Sequence, residues 1–312
     1  MPRQPARQWL PAYLIVVLLY GTSFAWIKVG LGSFTPSGIA IGRTFIAAVS
    51  LLIVLAVTRT RFPPRRLWGI LLLNAMLAAT IPWGLTALGE QYISSALTAI
   101  VGSTGPLFTL LAILVAFPEE RPTWQRMLGL GVGFLGVLIV VGVWRGIGTA
   151  TWIGIAAVIA ANVIWSWSLP VSRRYLTGGI RATDISPTAL AAGMYTMASI
   201  AVVPFLVIVP VVHERVDWSA GLAIVMLGAL GSGLAAVMNF RVIGRADATT
   251  ASTVLYLTPL VAVIVGSTVM GETVTWNEPL GGVVILMGAA LAQGLVSFGK
   301  SRTRPLQPDE AG

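Results

Sequence analysis

Apolar residues in this chain come in long unbroken runs, without the alternation of half-buried strands or the one-sided period of water-facing helices. A helix needs roughly 20 predominantly apolar residues to cross ~30 Å of hydrocarbon. Ten stretches meet that measure: 10–31, 37–58, 67–88, 92–116, 124–143, 151–170, 187–211, 218–240, 248–270 and 278–298. The connections between them are mostly short and hold turn chemistry, as in Thr35-Pro36-Ser37-Gly38, Arg61-Phe62-Pro63-Pro64, Pro118 to Pro122, and Gly178-Gly179. Barrel strands would alternate and run only ~10 residues, so the pattern is helical. The first run follows Arg3 and Arg7 and exceeds the apolar core of a cleavable signal, so it reads as an uncleaved first helix. The fold class expected is all-α integral membrane, with ten transmembrane helices and a short solvated tail over 301–312.

Composition agrees. Of 312 residues, 56% are apolar and 10% charged, against about 25% charged in a soluble domain, and the mean hydropathy is +0.86. A soluble globule, a disordered chain and a secreted disulfide scaffold are excluded. With no cysteine there is no disulfide, thiolate metal site or Cys nucleophile. The net charge of +9 reflects basic loops that set orientation, not nucleic-acid binding, because no basic stripe runs along any element. With the N-terminus placed inside, sixteen Lys and Arg fall in inside segments and two, Arg145 and Arg215, outside. Lys28 and Arg43 are left within spans. That asymmetry puts both termini in the cytoplasm and supports the span count. The preference for Arg over Lys suggests a GC-rich bacterial genome, so the membrane expected is a bacterial inner membrane.

The chain also repeats itself. Glu120-Arg-Pro-Thr-Trp-Gln-Arg-Met-Leu-Gly129 matches Glu272-Thr-Val-Thr-Trp-Asn-Glu-Pro-Leu-Gly281 at five of ten positions. The match extends to Pro106 and Pro259 and to Gly136 and Gly288, while the first two helices of each half match weakly. Two five-helix repeats are expected, over 1–147 and 148–300. Five is odd, so the second copy enters the membrane inverted. The loop with Arg121 and Arg126 reads as inside, and the loop with Glu272 and Glu278, which has no base, reads as outside. Inverted repeats are a transporter architecture, in which two near-equivalent halves open a central site alternately to each side.

Tyr20-Gly-Thr-Ser-Phe-Ala-Trp-Ile-Lys28 resembles the Trp-Gly-Ser-Asn-Phe…Lys signature of the drug/metabolite transporter superfamily, EamA-type branch. Arg43, Pro106, Pro259 and the Gly271-Glu272 pair are similar to further positions of that family. The chain departs from it at Tyr20, where Trp is usual, and at Pro118-Glu119-Glu120, where Gly-Glu is usual. The resemblance covers roughly residues 11–298. It implies an alternating-access carrier of small metabolites, commonly an exporter of amino acids or related compounds, present as a monomer or homodimer. It does not specify the substrate.

Charge within a span is the clearest chemical signal. A cation at mid-bilayer costs roughly 2.5–3.5 kcal/mol on insertion scales, so it normally faces a cavity or a partner. Lys28 and Arg43 are therefore candidates to hold a substrate carboxylate or phosphate, against snorkelling or structural pairing. Glu90, read as lying on the loop after span three, is the structural partner nearest to them. Trp83 and Trp165, with Trp167, are candidates to line a pocket or to pack the core. Ser103 lies in a small and polar stretch of span four, and Tyr256 in one of span nine with Thr249 and Ser252. Asn239, like Asn74 and Asn162, must find a partner inside its span. Pro106 and Pro259 free backbone carbonyls near mid-membrane and are the expected hinges beside a site. Other tryptophans, Trp9, Trp68, Trp124, Trp152, Trp218 and Trp276, fall at span ends as interfacial anchors.

Rival classes find little support. A membrane enzyme would need paired carboxylates, HExxH or a Ser/His set, and the sequence has none. No metal or cofactor motif is present, so no cofactor is expected. His213, the one histidine, reads as a solvated loop residue. A channel would need charged rings or a continuous pore. No Asp or Glu lies away from a span end, which favours facilitated export over carboxylate-based proton coupling. Alternatives kept open are an exporter of drug-like or aromatic compounds, and a non-transporting membrane assembly or sensor protein. The partners expected are a small-molecule substrate and the lipid bilayer. The glycines of helices five and ten fit packing within the bundle or against a second protomer.

Overall fold

The computed structural model describes residues 8–119, 123–142, 149–177, 185–213, 215–245 and 254–292. Among them the secondary structure is helical, with one isolated β-bridge between Phe34 and Val212. Eight helical segments are long and apolar enough to cross a membrane: α1 Leu10–Gly30, α2 Pro36–Thr58, α3 Arg65–Glu90, α4 Ser95–Ala116, α5 Trp124–Val141, α6 Thr151–Leu176, α7 Pro187–Val207 and α8 Trp218–Asn239. Two shorter apolar helices follow, α9 Val254–Thr268 and α10 Asn277–Ala292. The protein is a multi-pass membrane protein. The first three residues of the duplicated motif (120–122), the loop with Arg145, the Thr249–Ser252 part of span nine and both terminal clusters of basic residues lie outside the described residues.

Local chemistry starts the helices where the loops hold hydroxyl and proline residues. The hydroxyls of Thr35, Ser94, Thr123 and Ser186 accept hydrogen bonds from Gly38, Leu97, Arg126 and Ala189 amides respectively. Each thereby satisfies an amide that has no intrahelical acceptor. Pro36 and Pro187 follow two of these caps in the first turn, where a missing N–H costs nothing.

Lipid tails are as apolar as Leu, so burial here sorts residues by size more than by polarity. Alanines such as Ala47, Ala87 and Ala198 are fully buried between helices, while large apolar side chains such as Val207 (91% exposed) and Trp218 (85%) face outward. The main packing partners are α1 with α8 and α9, α6 with α3 and α4, α2 with α7 and α8, α3 with α7, α4 with α9, and α5 with α10.

The glycines of α5 and α10 face one another within the chain. A Cβ at Gly136 would lie 2.6 Å from the Ile285 amide nitrogen, and one at Gly281 would lie 2.6 Å from that of Val140. Gly129 and Gly288 meet equally closely across the same seam. The two backbones touch, and this answers for these four positions what the sequence left open. Gly131 has open space instead.

Candidate functional site

Four irregularities in the helices converge on one cavity. In α4 the helix stops at Gly102, turns through Ser103 and Thr104, and restarts at Gly105 with Pro106 in its first turn. In α9, Pro259 sits inside the helix, so the Leu255 carbonyl loses its usual donor. Both α3 and α8 carry π-helical stretches, Met76–Thr80 and Met226–Leu234. Such stretches are uncommon and are often found at functional sites. All four regions contribute to the lining of a cavity of about 360 Å³, and α5 and α10 contribute none.

One wall is built on Arg43, which is buried at 6% exposure. Its guanidinium carbon lies 4.1 Å from the centroid of the Trp83 ring. Trp83 in turn stacks on Tyr195, centroids 5.6 Å apart and planes 17° apart. Arg43 Nε donates to Ser232 Oγ at 2.9 Å and Nη2 donates to the Gly231 carbonyl at 3.4 Å. Ser232 Oγ donates to the Leu227 carbonyl at 3.1 Å, a five-residue return that the π-helical stretch permits. Small residues make room for this arrangement: a Cβ at Gly228 would lie 3.0 Å from the Arg43 carbonyl, and one at Gly231 would lie 2.9 Å from Ser23 Oγ.

Arginine carries five N–H donors in a fixed fork, and the rest of this fork makes no hydrogen bond to the described residues. Nor does a described carboxylate hydrogen-bond to it. Glu272 is held by the Ser95 amide at 2.8 Å, Ser95 Oγ at 2.8 Å and the Ala96 amide at 3.1 Å. The two carboxylate oxygens of Glu90 have no hydrogen-bond partner among the described residues. A cation on an aromatic face, with donors to spare, suits a ligand carboxylate or another planar anion. The lining also includes Trp165 and Asn162, whose amide nitrogen donates to the Val101 carbonyl and to Thr104 Oγ1, each at 3.3 Å, across the break in α4.

Arg43, Trp83, Ser103, Trp165, Pro106 and Pro259 line this cavity, while Lys28, Asn239 and Tyr256 do not. The two in-span cations are thus separated. Lys28 Nζ donates to the Glu90 carbonyl at 2.7 Å and to the Ile93 carbonyl at 3.2 Å, where it caps the end of α3. Tyr256 packs on the core cluster of α4, α5 and α10 with its hydroxyl buried and unpartnered. Ser103 Oγ donates to the Ile100 carbonyl at 2.6 Å. Trp167 faces outward at 38% exposure, since it is two residues beyond Trp165 and so turned away on the helix. His213 is exposed.

One expectation needs correction. Glu90 is not a loop residue: α3 runs on to include it, and it is fully buried. Among cavity residues, Tyr195 and Ser232 were not candidates from sequence. Ser232 carried a weak signal as a hydroxyl amid Gly228, Gly231 and Gly233, and Tyr195 carried none.

The EamA-like transporter family model matches residues 7–142 and again 152–293. The transporter YdfC of Bacillus subtilis is 27% identical, over 92% of this chain and 91% of its own. The inner membrane transporter YedA of Escherichia coli is 28% identical, over 94% and 93%. A probable terminal-alkyne amino-acid exporter of Streptantibioticus cattleyicolor is 25% identical, over 90% and 91%. A solved crystal structure with 19% sequence identity superposes with a TM-score of 0.63, over 92% of this chain and 99% of that one, and shares the fold.

Proposed function

The chain belongs to the EamA-like transporter family, and from that membership we propose that it is a secondary carrier exporting a small carboxylate-bearing metabolite, an amino acid or related compound, by alternating access. The observation that carries this reading is the buried Arg43 guanidinium, stacked on Trp83 in the cavity and holding donors in reserve. The probable amino-acid exporter among the relatives supports the substrate class.

In this proposal α1 to α10 all span the membrane as two inverted five-helix repeats with both termini in the cytoplasm. The packing supports it. If α1–α5 correspond in order to α6–α10, the pairs α1–α9 and α1–α8 map onto α6–α4 and α6–α3, and α2–α8 maps onto α7–α3. The pairs α2–α7 and α5–α10 map onto themselves, as contacts on a two-fold axis must. The π-helical stretches of α3 and α8 correspond as well. The substrate is held by Arg43, Trp83, Ser103 and Trp165, joined by Tyr195 and Asn162, and the two halves hinge at Pro106 and Pro259. Four glycines of α5 and α10 pack within the chain, and the carrier works as a monomer or homodimer.

The test is counterflow of a radiolabelled mixture of L-amino acids into proteoliposomes preloaded with the unlabelled mixture. Saturable uptake is expected from the wild type. Arg43→Ala is expected to reduce it about tenfold or more, because a hydrogen bond to a charged group is worth ~1.5–3 kcal/mol. Equal counterflow in wild type and Arg43→Ala refutes the anion-site assignment. A second reading, export of drug-like or aromatic compounds, is favoured by the aromatic lining of Tyr20, Phe24, Trp83, Trp165 and Tyr195. It predicts that aromatic amines lacking a carboxylate compete for uptake.

A further inference from the structure

Buried polar groups in proteins are nearly always hydrogen-bonded, and Glu90 is not. It ends α3 at 0% exposure, and neither carboxylate oxygen has a hydrogen-bond partner among the described residues. An ionisable side chain inside a membrane protein marks a substrate or proton route until another role is found for it. Its place in the helix gives the direction. Trp83, Thr86 and Glu90 follow the i, i+3, i+7 spacing of one helix face. The first two line the cavity, and Glu90 continues the stripe about 10 Å beyond Trp83 at the ~1.5 Å rise of a helix.

The groups around it form a small charge system. Lys28 of α1, Arg43 of α2 and Glu272, in the turn after α9, all act on Glu90 electrostatically. Glu272 is already engaged at the start of α4. The helix packed on the other side, with Gly154 and Val158 against Gly89, contains no titratable residue over Thr149–Ser166. Lys28 is the neighbour with a choice. Its ammonium is bonded to the backbone carbonyl of Glu90 itself and to that of Ile93, not to the Glu90 carboxyl group. Those two bonds hold α1 against the α3–α4 turn. Ionising Glu90 gives the ammonium an anionic acceptor on the same residue, in competition with the two carbonyls.

We propose that Glu90 binds and releases the proton that drives transport, with one proton crossing the membrane as one substrate molecule moves the other way. When the proton leaves, Lys28 exchanges the carbonyls of Glu90 and Ile93 for the Glu90 carboxylate, which loosens α1 from the α3–α4 turn. When the proton returns, the present contacts re-form. This rests on the carrier reading above, and it replaces the facilitated export expected when Glu90 was placed in a loop.

The test uses the full chain in proteoliposomes, with a radiolabelled mixture of L-amino acids, under two regimes: counterflow without a pH gradient, and accumulation against an imposed gradient. One proton per substrate gives about tenfold accumulation per pH unit. The wild type is expected to approach that value. Glu90→Gln is expected to keep counterflow but accumulate nothing, and Glu90→Asp to restore accumulation. A Glu90→Gln protein that concentrates substrate as the wild type does overturns the proposal, and so does a wild type with counterflow but no accumulation. A wild type without counterflow overturns the carrier reading and the coupling with it. Infrared difference spectra between acid and alkaline pH need no substrate. The other carboxyl groups of the chain contribute alike to both proteins, so one component of the carboxylic-acid carbonyl band is expected in the wild type and lost in Glu90→Gln, and identical spectra overturn the proposal whatever the transport result.

Discussion

Replacing Gly136 by alanine adds one methyl group at a point where two helix backbones touch. That Cβ would stand 2.6 Å from the Ile285 amide nitrogen, 2.8 Å from the Gly281 carbonyl oxygen and 2.8 Å from Ile285 Cγ1. Ordinary van der Waals contact between carbons begins near ~3.5 Å, so α5 and α10 must part by most of an ångström along a seam that also joins Gly129 and Gly281 to the opposite helix. Two of the three obstructing atoms are main chain, and no rotamer change relieves them. Overpacking of this kind costs about 1–3 kcal/mol, and close contact of small residues is what holds membrane helices together. Gly131→Ala is the matched control, five residues away on the same helix, with nothing within 4 Å of its added Cβ. There the exchange gains ~0.5–1 kcal/mol of helix propensity. Thermal unfolding of both proteins in one detergent, followed by tryptophan fluorescence, should show Gly136→Ala lower by on the order of 5 °C and Gly131→Ala unchanged or higher. Equal midpoints for the two would show that the α5–α10 seam is not held by backbone contact.

Glu272→Gln weakens the bonds to the Ser95 and Ala96 amides and removes the negative charge at the start of α4, so unfolding measurements at neutral pH should find it less stable by about 1 kcal/mol. Tyr256→Phe deletes a buried hydroxyl that has no partner among the described residues, and should be neutral or stabilising. Its counterflow kinetics should match the wild type because it stands outside the cavity lining. Pro259→Ala restores a donor for the Leu255 carbonyl, and should raise the unfolding midpoint while slowing the initial rate of counterflow; a stabilised protein with unchanged rate would argue against a hinge there.

Much of this protein is written locally. The thickness of hydrocarbon dictates how long an apolar run must be, and nothing elsewhere in the chain alters that requirement. The expected spans therefore meet the helices closely at most of their ends, as 37–58 meets Pro36–Thr58. The caps at Thr35 and Ser94 are equally local, since donor and acceptor are three residues apart. Arg43 could be singled out because an in-span charge is costly wherever it points. Lys28 gave the same signal and stands outside the cavity, because lipid and protein interior are equally apolar and no amphipathic period marks which face of a helix turns inward. Tertiary structure made that decision. It brought Ser232 to Arg43 across 189 positions, stacked Tyr195 on Trp83, and set the backbone of α5 on that of α10. It also carried α3 far enough to bury Glu90. Each of those facts depends on two surfaces meeting, and a linear sequence records only one surface at a time.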